Sequence, residues 1–408
     1  MATQIWRGDA AAVKQVSSAT ITADDATTTY KVTINGKVVS VLGSGTGATA
    51  TATALAAALV ASTIPEFQEV TWTSSGAVVT GTSVTAGVRF TCTSSVSGGA
   101  GTFGAFSTTT ASQGPNDWDI AANWSTGSVP VNSDDVDIPP GSSAILNGLG
   151  QPAVSLTSLA IRNSNQIGLP KVNAASNYYE YRTTDLQISA TTIRIGEGNG
   201  PGNSLVRLDT GSGNTTLTVF NTGSSLIQGV PAVTWKGSGT NSVNVLKGDF
   251  GAAVFAGETA TIATLRVGYV NNPVGDATVT VGSGVTLSTT LDMTGGNVVC
   301  HCNLPTTTTM QNGTLTIDRA ATGTTVTVYG GTLNWWSTGT ITTLNLYSAT
   351  LDCTSNVGSA TLTNANLYSG ATINDPDKRI TWSNALVVKA PLSALSINRG
   401  PSFSLAMS

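Results

Sequence analysis

Charge is what this 408-residue chain has least of: charged residues make up only 10% of it, where about 25% is usual for a soluble domain. The net charge is −4 and no basic stripe runs along any segment, which argues against a nucleic-acid partner. There is a single histidine, His301, so a multi-histidine metal centre is excluded and only one imidazole is available as a base. The four cysteines, Cys92, Cys300, Cys302 and Cys353, fall into neither metal-ligand nor disulfide-framework spacing. They read as reduced thiols in a chain folded in a cytoplasm. Glutamates are confined to positions 66, 69, 180, 197 and 258, which suits no paired-carboxylate glycosidase site. The longest apolar run, Ala54 to Ala61, is too short to span a bilayer. Met1 to Arg7 lacks the basic and apolar regions of a signal peptide.

What is present is small and β-favouring. Hydrophobic residues make up 40% and there are 45 glycines, with Thr and Val suited to pleated surfaces and Gly and Asn to tight corners. The apolar residues recur in short patterned runs, so the chain is not disordered. The expected class is mainly β.

Four segments are expected. Residues 1–26 read as an N-terminal arm. Residues 27–110 read as a small α+β attachment domain. In it Thr28 to Ile34 alternates, Asn35-Gly36 makes a hairpin turn and Lys37 to Leu42 runs back. A helix is predicted over Thr51–Ser62, with Leu55 and Leu59 four apart. Strands are predicted over 69–73, 77–80 and 88–93, giving one helix on an antiparallel sheet. The Gly/Ser/Thr-rich stretch 97–114 reads as a linker. Residues 111–385 read as a parallel β-helix and 386–408 as a capping or interaction tail.

The β-helix rests on a repeat. Gly313-Thr314-Leu315, Gly331-Thr332-Leu333 and Ala349-Thr350-Leu351 recur every 18 residues, a solenoid period. A rung of this kind cannot bury its own apolar face, so stacked neighbours must close the core. If Leu315, Leu333 and Leu351 point inward, alternation sends Ile317, Trp335 and Cys353 inward as well, with Cys300 one rung earlier.

The chemistry-bearing positions are few. His301 and Asp318 fall at matching positions of adjacent rungs and are expected as outward neighbours, read as a surface contact rather than a hydrolytic pair. Asp292 and Asp352 fall at other offsets. Gly196 to Gly202 has no following Lys-Ser or Lys-Thr and reads as a corner loop rather than a phosphate cradle. Arg7-Gly8-Asp9 is a chance tripeptide, and Asp134, Asp135 and Asp137 are explained by a turn as well as by calcium. Tyr329, Tyr347 and Tyr368 end strands in successive rungs. With Trp336, expected outward, they would make an aromatic ladder for a subunit interface or for stacking on a sugar. No catalytic, cofactor-binding or metal residue is expected.

Two groups of residues carry a resemblance. Ile5 to Ala10, Tyr30 to Lys37, the Ala-rich helix, Pro65 to Val70 and Thr85 to Thr91 resemble a module of tailed-phage virion proteins. Asn123-Trp124-Ser125, Val129-Pro130 and Asp135 to Ile138 resemble the opening rung of secreted and viral β-helix proteins. The resemblance covers roughly residues 1–140. It implies a non-enzymatic virion structural protein, assembled in a bacterial cytoplasm and often trimeric. A capsid decoration (cement) protein bound to the major capsid protein ranks first. A tail fibre or tailspike binding host surface polysaccharide is the alternative, and a polysaccharide-degrading enzyme ranks third. The partners it implies are other virion proteins and a homotrimer, with a host glycan in the fibre case and neither nucleic acid nor membrane insertion.

Overall fold

The structure is a computed structural model. It describes residues 2–162, 165–168, 172–173, 178–179, 185–197, 205–223, 225, 228–268, 277–356, 358–398 and 405–407. The glutamate at 180 and most of the 196–202 corner lie outside the described residues.

The chain builds two cores. The smaller belongs to an α+β module made of β2 (Val16–Ala23), β3 (Thr29–Ile34), β4 (Lys37–Leu42), α1 (Ala48–Val60), β5 (Val70–Ser75), β6 (Val78–Ser83), β7 (Cys92–Ser97), β8 (Thr102–Phe103) and β9 (Ser107–Thr110). All of its strand pairings are antiparallel, in sheets ordered β4-β3-β7 and β5-β6-β2-β8, with β9 also on β2. The helix buries Thr51, Ala52, Leu55, Ala56 and Leu59, one stripe at helical spacing. That stripe packs with Ile21, Tyr30, Val32, Phe67 and Trp72.

No side chain of its own caps α1. Asp24, just past the end of β2, does so, accepting from Gly47 N at 3.0 Å and from the Thr51 hydroxyl at 2.6 Å. The hydrogen bonds from Thr51, Gly47 and Ser44 hold the Asp24 carboxyl down to about 2.

Two sequence expectations shift here. The strand predicted over 88–93 lies at β7 instead, because the Gln15 side chain takes both Phe90 backbone groups, N–H at 3.2 Å and C=O at 2.7 Å. The strand therefore starts only at Cys92. The stretch read as a linker contains β8 and β9, both paired to β2. Its Ser and Thr residues are compatible with an exposed edge.

The larger core belongs to a parallel β-helix, a 24-stranded sheet that begins with β1 (Thr3–Ile5). Residues 3–5 pair with 135–137, then 158–161, 192–195, 216–219, 242–245, 264–267, 290–293, 307–310, 325–328, 343–346 and 364–367 follow in one parallel ladder. A second ladder runs from 166–167 through 205–209, 233–236, 248–252, 277–281, 297–300, 314–317, 332–335 and 350–352 to 372–374 and 396–398. A third, intermittent ladder joins segments such as 260–262 with 285–287 and 340–341 with 361–362.

The predicted interior is the observed one. Cys300, Ile317 and Trp335 are in register and fully buried, with Leu315, Leu333 and Leu351 beside them. Every inward side chain touches the rung above and the rung below, which is how a one-rung unit acquires a core. No disulfide joins the cysteines, and the buried Cys300, Cys302 and Cys353 act as small apolar filler. At Gly331, with φ +83°, a Cβ would stand 2.2 Å from the Gly313 carbonyl oxygen, so the close stacking of these corners requires glycine.

Polar residues outside form ladders of their own. Asn345 bridges Thr327 at 3.1 Å and Asn366 at 2.8 Å. Asn334 donates to Thr316 at 3.0 Å, Asn374 to Asp352 at 3.1 Å and Asn398 to Asn374 at 2.9 Å. From residue 386 the described chain continues both main ladders.

Candidate functional site

The first place where side chains converge is the junction between the two cores. The chain enters the β-helix at β1, leaves it to build the module, and returns at Asp117. Residues 16–110 are therefore tethered at both ends to the opening rungs. Ser125 N donates to Ile5 O at 2.9 Å and Trp6 bridges Trp124 in antiparallel fashion, which covers the outer edge of β1 against open-ended pairing.

Beneath this edge three buried indoles meet edge to face. Trp6–Trp124 centroids are 5.0 Å apart and Trp118–Trp124 centroids 4.7 Å apart. Two of them place their N–H groups on carbonyls, Trp6 on Ser143 at 3.0 Å and Trp124 on Trp118 at 2.8 Å. Asn123 accepts from Ala10 N and donates to the carbonyls of Gly114 and Asp117. The asparagine and the tryptophan of the Asn123-Trp124-Ser125 motif thus serve the fold.

Across the junction Arg89 of the module reaches Asp117 and Asp119, each at 3.1 Å. The Asp117 side chain is 0% exposed. Burial pushes its carboxyl up to about 6, against the pull of Arg89 and with a further push from Asp119. The three acids considered for calcium diverge. Asp134 accepts from Ala2 N and Val131 N, Asp135 from the Ser158 hydroxyl, and Asp137 from Arg162 at 3.0 Å. The Arg7-Gly8-Asp9 turn is pinned by Arg7 N to Asn123 O at 2.8 Å.

The second place is the tyrosine column. Tyr329 and Tyr347 stack at 4.8 Å with planes 24° apart, and Tyr347 and Tyr368 at 4.0 Å and 8°. Each follows the first ladder at the same register. The rings spend their faces on one another. What they offer outward is ring edges and a row of phenol oxygens, not the open faces on which a pyranose stacks. The hydrogen bond between Tyr347 and Tyr368 raises the Tyr347 phenol above its ordinary value.

Trp336 is not part of this column. It follows the second ladder, donating its N–H to Ile317 O at 2.9 Å, in line with His301 and Asp318. The sequence spacing that suggested one aromatic group spans two different corners.

At that other corner His301 Nδ1 lies 2.8 Å from both Asp318 oxygens, the adjacency expected from their matching positions. Both side chains are partly exposed. Asp292 lies on the first ladder, in register with Thr309, and Asp352 on the second, in register with Asn334.

A fourth group was not foreseen. Arg207 binds Asp185 at 2.5 Å and Glu258 at 3.2 Å, Lys236 binds Asp185 at 2.8 Å, and the Arg207 guanidinium lies 4.1 Å from the centre of the Phe255 ring. Burial works against the Asp185 carboxylate, but the two cations outweigh it and hold its pKa below the ordinary value. These partners come from rungs of unequal length, so no regular spacing announces them. Among the described residues no group of three or more His, Cys, Asp or Glu is arranged to hold a metal ion, and no helix is long and apolar enough to cross a membrane.

No protein-family model, curated protein or solved structure matches the chain.

Proposed function

We propose that this chain is a structural protein of a tailed-phage virion, most simply a capsid decoration (cement) protein. The α+β module grips the major capsid shell and the β-helix is the stiff body it holds there. The observation that carries this reading is the double tether. β1 pairs with residues 135–137 inside the β-helix while residues 16–110 fold as the module between them. Two chain crossings and the Arg89 ion pairs couple the bodies, so a load on the module passes to the rod without a flexible linker. The resemblance of residues 1–140 to virion modules and opening rungs supports the same assignment. A homotrimer would use the outward columns, with the Tyr329, Tyr347 and Tyr368 edges as contact residues.

The second reading is a tail fibre or tailspike that binds host surface polysaccharide. The comb of tyrosine hydroxyls and Asn/Thr ladders favours it, since these groups can hydrogen-bond a polyol along the rod. Stripping the protein from particles separates the two. The cement reading expects particles that fail at lower temperature and under milder osmotic shock. Unchanged particle stability together with lost host adsorption would replace it with the fibre reading.

A further inference from the structure

The reading above assigns the rod no chemistry, yet one corner is arranged as an acyl-transfer site. His301 continues the second ladder by one residue, its N–H reaching Val281 O at 2.9 Å, and Asp318 does the same one rung on through Cys300 O at 3.4 Å. Gly282, His301 and Asp318 therefore occupy one column. Asp318 covers one side of the imidazole and accepts from Nδ1 with both oxygens at 2.8 Å. That bond fixes the tautomer and leaves Nε2 as the lone-pair nitrogen.

On the opposite side the column holds Gly282, where a Cβ would stand 1.8 Å from the Ala253 carbonyl oxygen. No side chain can fill that side. A cavity of about 380 Å³ lies beside His301, lined by Ser283, Thr286, His301, Cys302, Asn303 and Arg319 among others.

We propose that Ser283, His301 and Asp318, on three successive rungs, form a nucleophile–base–orienter set that hydrolyses short-chain carboxylic esters in this cavity. Ser283 is exposed at the cavity and carries no hydrogen bond to the ring, as free nucleophile–base pairs often do not until substrate tightens them. The other nucleophile facing the cavity is disabled, because burial pushes the Cys302 thiol up to about 12. The candidate donors for a developing oxyanion are Asn303 and Arg319, which both line the cavity. Asn303 Oδ1 already accepts from Thr322 N at 2.9 Å, which leaves its NH2 for the cavity. Arg319 is held at φ +63°, a backbone conformation a non-glycine residue adopts only when its surroundings impose it. Its side chain is 62% exposed, with Nε 3.8 Å from Asp318 Oδ1.

The step balances within these groups. Ser283 Oγ bonds the carbonyl carbon as its proton passes to His301 Nε2. The bond to the alcohol oxygen then breaks, and the alcohol leaves with that proton. Water repeats the sequence on the acyl-serine, releasing the acid and restoring Ser283. Asp318 is a positioning residue, acting only through the ring.

The test is labelling of the folded full-length chain with a fluorophosphonate, followed by peptide mapping. The proposal expects one adduct, on Ser283, absent in Ser283→Ala and formed about 10³-fold or more slowly in His301→Gln. Labelling should rise with pH along a single limb, and Asp318→Asn should displace that limb while the melting temperature stays close to that of the parent. No adduct on the unmodified chain, an adduct elsewhere, or a Ser283 adduct undiminished in a folded His301→Gln would overturn it.

Discussion

The module and the rod solve the same problem, burying one apolar face, in opposite ways. In the module a helix closes over antiparallel sheets, so Leu55, Trp72 and Tyr30 share one small core. In the rod nothing closes over anything. Each rung's interior is completed by the next copy of itself, and the buried series runs without interruption from Trp6 to Leu386. The module is therefore expected to melt as a unit, whereas damage to the rod acts through nearest neighbours and spreads along the axis.

The largest effects should sharpen this contrast. Trp335→Ala removes a fully buried indole between Ile317 and the following rung and should cost about 3–5 kcal/mol. Leu55→Ala should cost about 2–5 kcal/mol. Calorimetry on each variant should show the first lowering the rod transition alone and the second the module transition alone. A single merged transition moved equally by both would break the comparison.

Next comes the charge network. Arg207→Ala leaves Asp185 and Glu258, each only 13% exposed at the side chain, without their main partner. It should destabilise the rod by roughly 2–3 kcal/mol, less than for a fully buried pair, readable as a shift of the urea midpoint.

Acid should separate the two regions by sign. Asp24, held near 2 in the folded module, supplies stability above the ordinary carboxylate range that is lost as pH falls from about 4 toward 2. Asp117, raised to about 6 at the junction, supplies stability that is complete below about 4 and lost as pH rises through 6. Hydrogen exchange should therefore show the junction tightening between pH 7 and pH 5 and the α1 N-terminus loosening only below about pH 4. Asp117→Asn should flatten the first response and leave the second.

The smallest effect belongs to the tyrosine column. Tyr347→Ala removes two stacked contacts from a surface ladder and should cost about 1 kcal/mol in denaturant melts of the isolated chain. If the column is a subunit contact, the same change should weaken the oligomer seen by sedimentation far more than it weakens the fold.

The same contrast governs what the sequence could disclose. Between residues 297 and 352 the rungs step by 17 or 18, so Val298, Leu315, Leu333 and Leu351 come into register by counting. The interior cysteines, Trp335, the Tyr329–Tyr347 step and the His301–Asp318 pair were all legible from that count, whereas Tyr368 follows Tyr347 by 21 residues. Where rungs vary in length, counting fails. Arg207 meets Asp185 and Glu258, and Lys236 meets Asp185, across gaps of 22 to 51 residues, and no local pattern relates them. Trp336 was separable from the tyrosines only once the corner after each ladder was known. In the module, β8 and β9 hid in a Gly/Ser/Thr-rich stretch because an exposed edge strand needs no apolar alternation. β7 moved because one glutamine side chain, Gln15, took the backbone of Phe90.

On the function proposed above, the doubly tethered module is the attachment device and the rod the body it carries. Imaging of intact particles at a resolution that distinguishes the two bodies tests this most directly. The account predicts density on the icosahedral shell with the α+β module against the capsid protein and the rod exposed. Density confined to the tail, or a rod that contacts the shell while the module faces solvent, would contradict it.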